Sequence, residues 1–348
     1  MLQVKCKKGI IGGSRPCCRA AAFGAGTLLL SVFHSWKGAS FMHKKSNTVP
    51  ERLPRRAQPS CESRTAWVFN TPYIVYSMVF LFLPLGWAAW LSVTDWNLMS
   101  PKYNLVGLKN FTQLFTDDNV KAAFWNSFRY LVPIVFLCFV FGVGIALLTS
   151  KLPGKMKGIV ATLFFIPYLT SGVATSVMIK YVFSYNSLLN VFLRDHYQLN
   201  INWLQSGAAF WILIAMIVWK MGGYYALFVL SAIESISSDV YEAAAIDGCT
   251  GLKKFFRITL PMITPTITSV IVLAAGLSFQ IFSEPFLLTG GGPDLTTTTW
   301  QLEIYKTSFV SFNAGYGAAI AIVNAVQIFV TIQIITWIMD WINRKFGW

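Results

Sequence analysis

Charge is scarce in this sequence. Of its 348 residues, 12% are Asp, Glu, Lys or Arg, and only 14 are acids. A soluble domain carries roughly 25% charged residues, so water is not the main solvent for such a surface. Histidine is scarcer still: His34, His43 and His196 are the whole set, two of them in the first 65 residues. No H-E-x-x-H occurs, and a histidine-centred catalytic site in the membrane is not expected. The six cysteines (Cys6, Cys17, Cys18, Cys61, Cys138, Cys249) have neither paired nor metal-type spacing. The adjacent Cys17 and Cys18 suit neither a zinc knuckle nor an easy disulfide, so we expect no disulfide framework and no metal site. There is also no G-x-x-x-x-G-K-[ST], so the chain lacks the phosphate cradle needed to hydrolyse ATP itself. Gly290-Gly291-Gly292-Pro293 has no lysine and reads as a tight turn.

What the chain does have is apolar residues, 55% of the total, with a mean hydropathy of +0.55. The prior is therefore a membrane protein. Six windows of roughly 20 apolar residues qualify as spans: about 73–93, 128–149, 159–182, 209–232, 264–288 and 317–341. The fold class expected is an all-α integral membrane protein with six transmembrane helices.

The formal net charge of +14 does not point to nucleic acid. Residues 1–65 hold 12 of the 28 Lys and Arg but only two acids, Glu51 and Glu62. The remaining body is near neutral. A basic tail ahead of a first span sets topology. With the tail inside, the inner segments carry 20 basic residues and the outer loops five (Lys102, Lys109, Lys121, Arg194, Lys306). We therefore expect a multi-pass protein of the bacterial plasma membrane with both termini cytoplasmic. The expected division is a basic, structureless cytoplasmic tail over 1–65 and a membrane domain over 66–348. Two readings stay open for residues 1–41: sequence translated upstream of a start at Met42, or a floppy extension. The apolar run 20–33 resembles a signal peptide, but cleavage after it would leave basic residues 43–64 outside.

One polar island interrupts the apolar runs. "YEAAAIDGCTGLKKFFRITLP" (241–261) lies between the fourth and fifth windows, on the inner face. Asp239 can cap a helix, with Glu242 three positions on. Ala243, Ala244 and Ala245 are strong helix formers, and Gly248 suits the left-handed position that ends a helix. Thr250 can cap a second helix running to Arg257, and Pro261 marks the start of the fifth span. The segment reads as a helix-turn-helix whose small residues let another backbone come close. A plain interfacial loop helix has the same local grammar.

Polar residues inside spans are costly unless they face protein or water. Asn324, Gln327 and Thr331 share one face of the sixth window. Gln280, Ser283 and Glu284 cluster near the outer end of the fifth, with Phe279 and Phe282 between them. Thr170, Ser171, Thr175 and Ser176 follow Tyr168 in the third. Amides and carboxylates bond sugar hydroxyls, and aromatic faces suit sugar C–H surfaces. Gln280, Phe282, Glu284, Asn324, Gln327 and Lys220 are therefore candidates for a solute path. Helix-to-helix bonding is the competing role for the amides and hydroxyls, and the outer interface for Glu284. Lys220 lies midway along the fourth window with no acid evident at its depth. It lines a watery vestibule, pairs with an acid on a partner subunit, or snorkels along a shifted helix.

The spacing of the island is more specific than its composition. Glu242-Ala243-Ala244, three residues, Gly248, nine residues, Ile258, one residue, Leu260-Pro261 resembles the EAA motif of ABC importer permeases at every position. "IFSEPFLLTGGGPDLTTTT" (281–299) and "YKTSFVSFNAGYGAAIAI" (305–322) are similar to carbohydrate-uptake permeases of the maltose type, with Ser283 where that family often has Asp. The resemblance covers about residues 66–348. It implies a cytoplasmic coupling loop in which Glu242, Ala243, Ala244, Asp247, Gly248, Ile258, Leu260 and Pro261 meet an ATPase subunit. It further implies a second homologous permease, two cytoplasmic ATPase subunits that bind ATP and Mg, an extracytoplasmic solute-binding protein, a carbohydrate substrate and a lipid bilayer. This chain itself would hold no cofactor, bind no nucleic acid and carry no enzyme activity. The alternative function is an ion-coupled secondary carrier of a small polar solute, which needs ionisable residues at mid-depth and often an internal repeat. Lys220 alone meets the first requirement, and no repeat is visible. A membrane-embedded enzyme is a third class, for which the acids and histidines are too few and too scattered.

Overall fold

The computed structural model describes residues 61–346. The expectations for residues 1–60, most of the basic tail and the two readings of 1–41, lie outside the described residues; residues 61–65, expected to be structureless, are helical.

Among the described residues the secondary structure is helical, with two isolated bridges (Thr94–Leu105 and Asn97–Asn313) and no strand. Five helices are long and apolar enough to cross a membrane: Trp67–Leu91, Asp118–Ser150, Ala208–Glu234, Thr264–Leu288 and Ala314–Lys345. We number the elements in chain order. Helix α1 covers 61–91, α2 is Lys109–Leu114 and α3 is Asp118–Ser150. Asp117 starts α3 by accepting the backbone N–H groups of Asn119 and Val120 at 2.9 and 3.5 Å, satisfying two donors that a helix start leaves free.

The third window is a bent pair of helices and not one straight helix. It forms α4 (Gly154–Leu169) and α5 (Gly172–Val182), bent by 91° at the intervening residues. The cause is local. Thr170 is extended, and its hydroxyl bonds back to the Pro167 carbonyl at 2.6 Å. Ser and Thr hydroxyls compete with the helix ladder for backbone partners, and Pro167 has already removed one donor from that ladder.

Next come α6 (Leu188–Tyr197), the unbroken α7 (Ala208–Glu234), α8 (Ser238–Ile246) and α9 (251–262). The fifth span is also interrupted, between α10 (Thr264–Ser278) and α11 (Ser283–Leu288). After α12 (Trp300–Tyr305), α13 (Ala314–Phe346) closes the chain.

The main core joins α3, α7 and α10 through Tyr130, Ile134, Leu213, Ile214, Ile217 and Val270. In lipid such burial gains little hydrophobic energy, because acyl chains are as apolar as leucine. Close approach supplies the attraction instead. Gly223 of α7 lies so near α4 that a Cβ there would fall 1.7 Å from the Phe164 carbonyl oxygen. A second core gathers Leu114, Val120, Phe279, Trp300, Tyr316 and Ile320 around the start of α3 and the start of α13.

Candidate solute path and coupling elbow

The elbow follows α7 directly. Ser237, not Asp239, caps α8: its hydroxyl accepts the Asp239 N–H at 3.3 Å. Asp239 sits in the first turn, where its charge favours the helix dipole. The end of α8 is built as the glycine predicts. Gly248 has φ +70, the Cys249 N–H bonds the Ala244 carbonyl at 2.8 Å, and the Gly248 N–H bonds the Ala245 carbonyl at 3.1 Å. These two bonds are the paired closure of a Schellman ending.

Thr250 occupies the position before α9 without a side-chain cap bond. The second arm runs through Arg257 and Pro261 to Met262, so Pro261 lies inside it; the fifth span begins at Thr264. Tyr241 clasps the arms together. Its hydroxyl is 3.3 Å from that of Thr259, and Lys254 Nζ lies 4.9 Å from its ring centre.

The eight coupling candidates divide by exposure. Glu242, Ala243, Asp247 and Gly248 are exposed, whereas Ala244 is buried and Ile258, Leu260 and Pro261 are partly so. Leu260 packs on the main core. Half of these candidates anchor the elbow and the other half present it. Beside the presented half, Ile246 is 87% and Leu252 77% exposed. Behind it, Lys157 of α4 bonds Glu234 of α7 at 2.7 Å, a half-exposed pair worth up to about 1 kcal/mol.

The polar residues of the spans separate into bonded and convergent groups. Gln327 is bonded: its Oε1 accepts the Trp300 indole N–H at 2.7 Å, and its amide nitrogen donates to the Phe124 carbonyl at 3.5 Å. Thr175 and Ser176 bond the carbonyls of Ser171 and Gly172 on their own helix. Gln280 is exposed and donates to the Gly276 carbonyl. Asn324 is buried, and its Oδ1 has no partner among the described residues. Thr331 is buried on the same face.

Gln327→Leu is therefore expected to cost about 1–3 kcal/mol, the penalty of leaving the buried Trp300 N–H unpaired, with uptake per folded molecule unchanged. Thermal unfolding in detergent together with normalised uptake checks this.

Lys220 and Glu284 converge. Helices α5 and α11, the second halves of the two interrupted spans, pack on each other. Unbroken α7 brings Lys220, 8% exposed, to the same place. A Cβ built on Gly172 would lie 3.3 Å from Lys220 Nζ, 3.5 Å from Glu284 Oε1 and 3.5 Å from Ser283 Cβ. This corrects the sequence reading that no acid is evident at the depth of Lys220, and it puts the Glu284 carboxylate beside the break at Gly172. One turn along α7 from Lys220, Tyr224 stacks on Tyr168 of α4 with ring centres 4.3 Å apart, and Phe228 follows at 5.0 Å. Phe282 stacks on Phe286 at 5.2 Å, with Tyr305 against both. Sequence reasoning missed Gly172 and Tyr224; the four-residue step from Lys220 to Tyr224 to Phe228 was the available signal.

Residues 138–348 match the family described as binding-protein-dependent transport system inner membrane component. The chain belongs to this family. It is 31% identical over 265 residues to the probable ABC transporter permease protein YurN of Bacillus subtilis, covering 74% of this chain and 89% of that protein. It is 29% identical over 286 residues to the multiple sugar-binding transport system permease protein MsmF of Streptococcus mutans, covering 80% and 95%. Among solved structures, a bacterial ABC transporter involved in import of the acidic polysaccharide alginate matches with a TM-score of 0.70 at 23% identity. The match covers 80% of this chain and 96% of that one, and it shows the fold.

The end of this inner membrane component opposite the elbow is fastened by the 290–299 loop. Asn126 of α3 donates to the carbonyls of Leu295 and Thr298 at 2.7 and 3.0 Å, and the Thr299 hydroxyl bonds the Ile281 carbonyl at 2.8 Å. Lys306 Nζ bonds the Gly290 carbonyl at 2.8 Å. The glycine run is thus a turn, as its missing lysine implied.

Glu303 is buried beside this loop. Burial first, and the nearby Asp117 charge second, raise its carboxyl above the ordinary 4.5, while Lys306 and a bond from Thr307 oppose the rise. A raised folded-state value means that the stabilising contribution is full below about pH 4.5 and is lost as pH climbs through the raised value. Glu303→Gln keeps a neutral side chain throughout. Its unfolding midpoint in detergent is expected to exceed wild type at neutral pH and to meet it near pH 4.5; a gap that widens on acidification would contradict the sign.

Proposed function

We propose that this chain is one membrane-spanning subunit of an ATP-driven importer of a sugar or related polyol in the bacterial plasma membrane. The elbow over 239–257 couples it to a cytoplasmic ATPase. The observation that carries the reading is the elbow itself: a polar, small-residue surface, exposed and rigidly clasped, joined directly to α7 and the fifth span. Large apolar side chains exposed beside such a surface, here Ile246 and Leu252, are a protein-contact signature.

Family membership supports the rest. A binding-protein-dependent system implies an extracytoplasmic solute-binding protein, two ATPase subunits holding ATP and Mg, and a second permease beside this one. The name of MsmF supports sugar as the cargo class. The bias of basic residues toward the inner segments supports cytoplasmic termini. The ATPase closes on ATP, the elbow moves with it, and α7 and the fifth span re-aim the path. Each state is favoured by contacts that the other lacks. Chemistry on a covalent bond is left to the ATPase.

The test is reconstitution. Proteoliposomes holding this chain with its companion permease, ATPase and binding protein should take up labelled saccharides only with ATP inside the ATPase compartment. A cysteine at Gly248 that reacts with an impermeant reagent from the external face would overturn the orientation and the coupling together.

A further inference from the structure

Around the start of α3 lies a cavity of about 430 Å³ that neither the elbow nor the candidate solute path uses. Phe111 of α2 and Phe115 just after it form one wall, Phe124 and Trp125 of α3 another, and Trp300 of α12 a third. Among the described residues that line it, only Lys121 is charged. We propose that this cavity is a lipid site: it takes one acyl chain of a phosphoethanolamine phospholipid, whose headgroup is held at the rim by Lys121 and Asp118. The inference goes beyond the import reading and does not depend on it; it needs only that α3 crosses a bilayer.

The volume falls within the roughly 300–1,000 Å³ of small-ligand clefts. The walls are fixed before a ligand arrives. Trp300 is 1% exposed, and its indole is tied to Gln327. Phe124 meets the Trp300 ring edge-on at 6.5 Å and the Trp125 ring at 5.4 Å. Asp117, the cap of α3, also accepts the Tyr316 hydroxyl at 2.9 Å, which pins the turn carrying Phe115 to α13. A preformed hollow spares its ligand the cost of ordering the walls.

The cavity straddles the edge of the apolar layer. Asp118 and Lys121 are 87% and 49% exposed and bond each other at 3.0 Å. One turn further on, Phe124 and Trp125 begin the long apolar run of α3. Trp125 lies roughly 6 Å below Lys121 along the helix, and tryptophan favours the water–lipid boundary. The ligand is therefore apolar below and charged above. A saccharide would leave its hydroxyls against rings, with the Trp300 N–H already spent on Gln327. A peptide segment would bury unpaired backbone groups there.

The charges choose the headgroup. Going outward, the protein presents apolar cavity, then the Lys121 ammonium, then the more exposed Asp118 carboxylate. Going outward, a phosphoethanolamine lipid presents acyl chain, then phosphate, then ammonium. The two orders are complementary throughout, which is how charge sets specificity at an interface. A phosphoglycerol headgroup would offer Asp118 no cation.

The experiment is photo-crosslinking in nanodiscs that hold the permease–ATPase complex. The probes are phosphatidylethanolamine and phosphatidylglycerol, each with a diazirine near the end of one acyl chain. Adducts are mapped by mass spectrometry, and labelling of residues 109–125 is divided by that of the whole chain. In wild type the ethanolamine probe should exceed the glycerol probe there by about threefold or more, the scale of one exposed ion pair. Asp118→Asn should bring the two probes level. The double variant Lys121→Asp with Asp118→Lys keeps a pair but reverses its order, and it should also lose the preference. Phe115→Glu puts a carboxylate into an exposed wall and should lower labelling by either probe at least about fivefold. Phe115 is 81% exposed, so this variant should elute and melt as wild type does. Labelling of 109–125 no stronger than the chain average in wild type would overturn the site. Equal labelling by the two probes in wild type, or a preference that survives the reversed pair, would overturn the headgroup assignment. Phe115→benzoylphenylalanine tests the rival occupant: a lipid adduct supports the proposal, and an adduct with the companion permease overturns it.

Discussion

Gly223→Val is expected to leave almost no folded protein. The two helices meet there backbone to backbone. A Cβ on Gly223 would lie 1.7 Å from the Phe164 carbonyl oxygen, 2.4 Å from its carbon and 3.1 Å from the Phe165 nitrogen. None of these atoms belongs to a side chain that could rotate away, so α4 and α7 would have to part. Overpacking usually costs about 1–3 kcal/mol because neighbours can adjust; here they cannot, and the cost should exceed that range. Nothing offsets it, because parted helices in lipid simply gain acyl contacts in place of each other. The neighbouring positions make internal controls. A Cβ on Gly222 meets the Phe141 side chain, nearest at its Cβ at 3.4 Å, and one on Gly144 meets nothing within 4 Å. Gly222→Ala should be mild and Gly144→Ala within about 0.5 kcal/mol of wild type. The measurement is the monodisperse fraction after detergent extraction, with the unfolding midpoint of what remains. A Gly223→Val protein that elutes and melts like wild type would show that α4 and α7 do not touch there.

The same contact shows where sequence reading stops. Long apolar runs announced the spans, because a backbone in lipid must satisfy its own hydrogen bonds and a helix does so locally. The runs could not announce the breaks. Thr170 and Ser171 are two small polar residues in an apolar window, and whether they bend a helix depends on what receives the bend, here α11. Pro167 was the visible hint, but proline is common in membrane helices that do not break. The elbow was legible because its signals are local: a glycine at φ +70 and three alanines before it. Its cap was misassigned because Ser237 and Asp239 are both competent cap residues two positions apart, and the chain's entry from α7 favoured the earlier one. The Trp300–Gln327 bond and the Lys220–Glu284 convergence depend on which helices are neighbours, and one sequence does not carry that.

Gly248→Asp and Glu242→Arg are expected to lower ATP-driven uptake by at least about tenfold, the scale of losing a well-placed interface contact, with the protein still in the membrane. Their value lies in what they leave intact. Aspartate is among the few residues that visit the left-handed region, at about 1–2 kcal/mol, so Gly248→Asp should preserve the paired hydrogen bonds from Gly248 and Cys249 that close α8. What it changes is the presented face: a third carboxylate joins Glu242 and Asp247 where bare backbone stood. Gly248→Asn carries the same bulk and tolerates the same φ without the charge. It separates steric exclusion from repulsion. Glu242 is exposed and forms no ion pair among the described residues, so reversing its charge should cost the fold little while opposing whatever charge orients the partner. The readouts are uptake, ATP hydrolysis and co-purification of the ATPase, each normalised to permease content. If the elbow transmits work, uptake falls more than hydrolysis when the partner stays bound, and both fall together when it leaves. Wild-type uptake in Glu242→Arg and Gly248→Asp alike would mean that this face touches nothing that matters to transport. The exposed Ile246 and Leu252 would then need another partner.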